Sequence, residues 1–178
     1  MQDGERTATV LMGGAERVFL MRFSARGVCL ARGDTDDLYG VAGAMRTWQS
    51  GSRLRELGRE WPFVAISPLA EAHERGEAAE YTWRQYHQNA RRAPHLLRLQ
   101  SFIAVAIGEP RLRRLMPFTS HAALGFSRTV GYPYSGDCPW VEPLDGDRYR
   151  VTAADRRHEW GTADAARCVA LVLAGLPD

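Results

Sequence analysis

The chain has 178 residues, 45% of them hydrophobic and 25% charged, with a net charge of +2, which excludes a disordered segment or a fibrous repeat. All 23 basic residues are arginine. That rules out a P-loop, a protein-kinase core, a pyridoxal-phosphate Schiff base and a lysine-dependent aldolase, each of which needs a lysine.

The bland source of the arginine bias is a GC-rich coding sequence. The most apolar runs, Phe102 to Ile107 and Cys168 to Ala174, are far shorter than a membrane span. Met1 to Arg6 lacks the apolar core of a signal peptide. Three scattered cysteines, Cys29, Cys138 and Cys168, fit a reducing compartment better than a disulfide framework, so a cytoplasmic protein is expected. A chain this long buries roughly 70% of its unfolded surface and needs no metal or disulfide staple.

Residues 7–32 read as three strands: Thr7 to Met12, Val18 to Ser24 and Val28 to Arg32, the last two joined by a hairpin at Ala25-Arg26-Gly27. A helix follows, capped by Asp34 or Thr35, with Leu38, Val41, Ala42, Met45 and Trp48 on one stripe. Gly40 and Gly43 would let that helix approach a neighbour closely. Leu54 to Arg59 is a short amphipathic turn, and Trp61 to Val64 is extended. Ser67-Pro68 starts a helix that breaks at Gly76. From Glu77 helix resumes with Ala79, Trp83, Tyr86 and Ala90 on one face. Leu96 to Ile107 is apolar almost all round and reads as one central core helix. Pro110 to Met116 forms a short arginine-rich turn.

Beyond Pro117 the strand pattern returns in Ala122 to Arg128, Trp140 to Glu142, Arg148 to Thr152 and Arg157 to Trp160, with a strong turn signal at Leu144 to Asp147. Gly161 to Asp164 then caps a terminal helix striped by Ala165, Val169, Val172 and Leu176. This ending echoes the beginning, strand pair then capped apolar helix, although general helix-start chemistry would give the same echo. The expectation is a single α+β domain over 1–178, with helices packed on antiparallel sheet. It is strand-rich over 7–32 and 118–160, helical over 34–116, and ends in a helix over 162–175; two strand–strand–helix units around a helical middle are one arrangement of it.

The run Arg111 to His121 leads into Leu124-Gly125-Phe126-Ser127-Arg128, then Tyr132-Pro133-Tyr134, Asp137-Cys138-Pro139-Trp140 and Asp147 to Val151, and closes with the Gly161-Thr162 helix and Leu176-Pro177. With Leu54 to Phe63, these segments resemble an actinobacterial family of unknown function labelled as natural-product biosynthesis proteins from its gene neighbourhoods. The resemblance covers most of residues 30–178. It implies a cytoplasmic bacterial setting near specialised metabolism, in a pathway that could be peptide-derived. It supplies no catalytic residue.

The five histidines show no HExxH and no paired ligand spacing, and no CxxC is present, so no metal is expected. Gly13-Gly14 lacks the rest of a dinucleotide fingerprint and Gly125-Phe126-Ser127 lacks the second glycine of a nucleophile elbow, so no cofactor is expected. The 118–140 segment gathers Ser120, His121, Asp137 and Cys138, which could act as base, nucleophile and supporting groups, with a thiolate–imidazole pair of Cys138 and His121 as the sharpest form. The alternative is that Thr119-Ser120-His121 caps and turns the chain and that Cys138-Pro139-Trp140 packs.

Charge gives the most quantitative signal. Residues 84–128 hold eight arginines against one acid, Glu109. Arg91, Arg111, Arg113, Arg114 and Arg128, with Trp83 and Tyr132, are candidate ligand-binding residues, because arginine forks hold carboxylates and phosphates and stack on planar groups. Six glutamates upstream, from Glu56 to Glu80, could instead neutralise that block. The leading reading is an accessory or binding protein that holds an acidic peptide, pathway intermediate or partner protein. A small metal-independent biosynthetic enzyme using His121 and Cys138 is the alternative. An RNA-binding module is weaker, since a pI near 8.6 is modest for one and nucleic acid is disfavoured as a partner. No membrane association is expected.

Overall fold

The computed structural model describes residues 6–14 and 16–177; residues 1–5, on which the signal-peptide reading rests, lie outside them, as do Ala15 and Asp178. The chain forms two compact units, Met1–Ala78 and Ala79–Asp178. Each has an antiparallel sheet, its own helices and its own core, so the class is α+β as the patterning leads one to expect. No helix among the described residues is long and apolar enough to cross a membrane.

The first unit is a four-stranded meander in the order β1 (Arg6–Met12), β2 (Phe19–Ala25), β3 (Val28–Thr35) and β4 (Val64–Ile66). Arg26 and Gly27 turn the β2–β3 hairpin with φ of 52° and 75°, a two-residue turn whose twist suits the flanking strands. Phe19, Met21 and Phe23 alternate onto the core face, while Leu20 and Arg22 point the other way. Helix α1 (Leu38–Gln49) is capped by Asp37, whose carboxylate accepts from Tyr39 and Gly40 N–H, and not by Asp34 or Thr35. Those two residues stay in β3 because they pair with Leu20 and Phe19. The rings of Trp61 and Phe63 lie over Gly43 and Gly40, where a Cβ would meet Trp61 Cη2 at 2.1 Å and Phe63 Cε1 at 3.1 Å. Helices α2 (Leu54–Glu60) and α3 (Pro68–Arg75) complete the unit, and α3 starts on Ser67 and stops at Gly76 with φ 77°. Phe23, Trp48, Leu54 and Leu57 form the centre of this core.

The second unit opens with α4 (Ala78–Asn89), α5 (Pro94–Leu97), α6 (Gln100–Ala106) and α7 (Pro110–Arg113). Its sheet is a five-stranded meander, β5 (Met116–Ser120), β6 (Ala123–Ser127), β7 (Trp140–Pro143), β8 (Tyr149–Thr152) and β9 (Glu159–Ala163), followed by α8 (Ala165–Ala174). The single helix expected over 96–107 is two, because Leu99 N–H bonds back only three residues, to Leu96 O, and tightens the chain between them. Met116–Ser120, which contains Pro117, is a strand that the sequence reading does not name: it puts the first strand of the 118–160 stretch at Ala122 and ends the arginine-rich turn at Met116. As an edge strand, β5 accommodates a residue without an N–H. The last strand lies further along than Arg157 to Trp160, and Thr162 belongs to it; Asp164 is the true cap of α8. Trp83, Phe102, Phe126, Tyr149, Cys168 and Val172 are buried together in this core.

Candidate functional site

The arginine-rich turn is built from the inside. Pro110 opens α7 at its first position, and Leu112 is fully buried, which turns Arg111, Arg113 and Arg114 outward. The indole N–H of Trp83 donates to the carbonyl oxygens of Leu112 at 3.0 Å and Leu115 at 3.1 Å, fixing the turn from below. Arg111 Nη1 donates to Leu173 O at 3.3 Å, one of the carbonyls that the C-terminal end of α8 leaves without an intrahelical donor. A guanidinium there also suits the negative end of the helix.

The second wall comes from the loop after β6. Ser127 is buried, and its hydroxyl organises the loop: it donates to Thr129 O at 2.8 Å and accepts from the N–H groups of Thr129 and Ser135. Arg128 N–H donates to Ser135 Oγ at 2.8 Å, and its guanidinium pairs with the Asp137 carboxylate. Burial opposes ionisation of Asp137, but the Ser135 hydroxyl and the Arg128 charge outweigh it and hold the carboxyl below its usual range.

Arg111, Arg114 and Arg128 converge with Leu115, Leu176, Pro177 and Cys138 on one open depression of about 430 Å³. Arg113 shares the turn but not the depression. Arg91 lies in a separate depression with His87, Gln88 and Ser101. Trp83 is a core residue and no ligand contact, since its ring is fully buried and stacked on Phe126. Tyr132 is 83% exposed and belongs to an aromatic row with Tyr134, Phe118 and Trp140, none of which lines the depression. The upstream glutamates do not neutralise the block. Glu56, Glu60, Glu71, Glu74 and Glu77 bond to Arg53 N–H, Thr47, Arg55, Leu54 N–H and Arg75, all in the first unit, and only Glu80 pairs with Arg84. Arg114 has no hydrogen bond or ion pair among the described residues.

The thiolate–imidazole pair does not form. His121 and Ala122 make the tight β5–β6 turn, with φ of 49° and 64°, at one end of β6, while Cys138 lies beyond its other end. At about 3.4 Å per residue the five-residue strand separates them by ~14 Å. Ser120 Oγ lies 3.1 Å from His121 Nδ1, but the pair is exposed and, among the described residues, no carboxylate bonds to the His121 ring to orient it. Burial and the neighbouring Asp137 carboxylate push the Cys138 thiol up, the reverse of an activated nucleophile, and its Sγ donates to Asp137 Oδ1 at 3.6 Å. Asp137 pairs with Arg128, beyond the end of β6 opposite to the turn that holds His121. Among the described residues, no three His, Cys, Asp or Glu side chains group as metal ligands.

Leu176 and Pro177 give no signal in the linear sequence of a role beside the arginines. Only the return of α8 along α6 brings them there. Fold and depression together define an α+β protein with a cationic, half-apolar surface pocket. The chain belongs to a family of unknown function, DUF6193, whose model matches residues 77–178, the whole of the unit that carries the pocket. The stretch Leu54 to Phe63 lies outside that match. No match is found among curated proteins or among solved structures.

Proposed function

We propose that the protein is a binding protein that holds an acidic peptide, or an acidic segment of a partner protein, in the arginine-walled depression of its second unit. The supporting observation is the convergence of Arg111, Arg114 and Arg128 on one depression whose remaining wall is Leu115, Leu176 and Pro177. Among the described residues the Arg114 fork has no partner, which suits it to a carboxylate, since a guanidinium binds one through two parallel hydrogen bonds. Arg111 bonds to the neutral Leu173 O and adds its charge, whereas the charge of Arg128 is offset by Asp137 and its guanidinium contributes hydrogen-bond donors. The apolar wall suits an aliphatic side chain next to that carboxylate. Drawn from the resemblance, the setting is that of a cytoplasmic accessory protein in an actinobacterial specialised-metabolite pathway. The buried, protonated Cys138 and the distant His121 lend the enzyme reading no support.

The test is affinity for a fluorescein-labelled peptide of alternating leucine and glutamate, at several salt concentrations, for wild type and the Arg111→Gln/Arg114→Gln variant. A loss of about tenfold, or ~1.4 kcal/mol, is expected, with a shallower salt dependence and only the small fall in melting temperature that losing the Arg111–Leu173 contact brings. A variant that melts lower yet binds equally well overturns the proposal. So does preferential binding of an RNA oligonucleotide with a log–log salt slope near 0.7 per phosphate contact.

A further inference from the structure

The first unit carries a second surface that lies outside the family match. The core face of its sheet is covered by α1 and α2, but the opposite face presents Thr9 and Leu11 of β1, Leu20 and Arg22 of β2, and Arg32 and Asp34 of β3 around a depression of about 440 Å³. Arg22 and Arg32 stand directly opposite each other in the β2–β3 register. Like charges in that position oppose strand pairing. Neither has an ion pair or hydrogen bond among the described residues, and Asp34, the carboxylate on this face, is paired with neither.

This face runs to an edge that no further strand pairs with among the described residues, although near its start the Trp48 indole N–H donates to Thr7 O at 3.0 Å. β1 is the end strand of the order β1-β2-β3-β4, and its seven residues pair with β2 in unbroken register from Arg6↔Ala25 to Met12↔Phe19. Natural edge strands are blunted by proline, by bulges or by charged side chains. Ala8 to Met12 has none of these. The single charge on the strand, Arg6, is tied back at one end, bonding to Ser52 O at 2.6 Å and Trp48 O at 3.2 Å and lying 4.4 Å over the Trp48 ring. Beyond it, Leu11 and Leu20, opposite each other in the register, are 54% and 50% exposed, an apolar patch beside the arginine pair.

We infer that β1 is a strand-addition site for an extended acidic segment of a partner protein, with alternate carboxylates laid toward Arg22 and Arg32. An added strand would hydrogen-bond to the open edge of β1 and send every second side chain to the face that bears Thr9 and Leu11. From there the β2 backbone is about 10 Å away and the β3 backbone about 14 Å, two and three strand spacings; a glutamate and Arg22 close the first gap between them, and Arg32, directly opposite Arg22, extends across β2 toward the same carboxylate. The arginine pair gains the anion it lacks, and an apolar residue of the segment lies against Leu11. A second copy of this chain fits poorly, because β1 brings no acid and β1–β1 pairing would set four arginines on one face.

The probe is acetylated and amidated (Glu-Val)₄, titrated into the full chain carrying Arg111→Gln/Arg114→Gln so that the pocket of the second unit does not contribute. Binding with hydrogen-exchange protection confined to Ala8–Met12, and a loss of at least tenfold on adding Arg22→Gln/Arg32→Gln, is the expected result. The matching (Lys-Val)₄ peptide should not bind. Absence of binding at millimolar peptide, protection elsewhere, or an affinity indifferent to Arg22 and Arg32 overturns the inference. Self-association through β1 without peptide, or stronger binding of an oligothymidylate, does the same.

Discussion

Cys138 shows how a residue can sit in a functional pocket without being its chemistry. Its thiol is buried, bonded to Asp137 and raised in pKa by burial and by that carboxylate, so it is a neutral lining group at pH 7. Cys168 is likewise buried, its Sγ donating to Tyr149 O at 3.3 Å, and its pKa is also raised by burial. Cys29 is exposed. Iodoacetamide should therefore label Cys29 first, with Cys138 and Cys168 reacting at least tenfold more slowly at pH 7.5. Mass spectrometry of a labelling time course reads this directly, and rapid modification of Cys138 would restore the nucleophile reading. His121 was legible as a candidate base by residue type alone. Its positive φ and its place in a two-residue turn come from the β5–β6 pairing, which no local spacing announces.

Among the elements, the β7–β8 pair contains a triad that couples stability to pH. Glu142 lies opposite Arg150 in the register and accepts from it at 2.6 Å, while Arg156, from the β8–β9 connection, donates at 2.8 Å and stacks 4.7 Å over Trp140. Hydrogen bonds from Arg156 and Arg150 hold the Glu142 carboxyl below its usual range, although partial burial opposes this. A carboxyl depressed by folding contributes stability that is complete above the unfolded value of about 4.3 and is lost as pH falls through the folded value. Glu142→Gln should lower stability at pH 7 by about 0.2–1 kcal/mol per pair and should flatten the fall in melting temperature below pH 4.5. Parallel acid limbs for the variant and wild type would show the triad to be energetically idle. The Glu142–Arg150 pairing is invisible to a helix-type or strand-type count, because it depends on strand register.

Across the whole molecule, the two cores share no residue: Leu57 belongs to one and Ile103 to the other, and both are fully buried. Leu57→Ala and Ile103→Ala should each cost about 2–5 kcal/mol by the cavities they leave. Their effects should add within ~0.5 kcal/mol in the double variant, because among the described residues the two core clusters have no member in common. Chemical denaturation of the four proteins measures it; coupling of several kcal/mol would mean that the cores respond as one.

The sequence by itself determined the α+β class, the hairpin at Arg26-Gly27, the start of α3 at Ser67-Pro68 and its stop at Gly76, since each depends on backbone preferences of a few adjacent residues. It also determined that Arg111 and Arg114 face away from the core, because Leu112 between them must go in. Only the tertiary structure decided that Arg128, Leu176 and Pro177 join them, that Trp83 is the strut beneath and not a contact, and that β6 keeps His121 from Cys138. It alone set Arg22 opposite Arg32. Local patterning encodes which side of an element a residue occupies; which distant residues meet it there depends on strand register and helix return, energies summed over the whole packed chain.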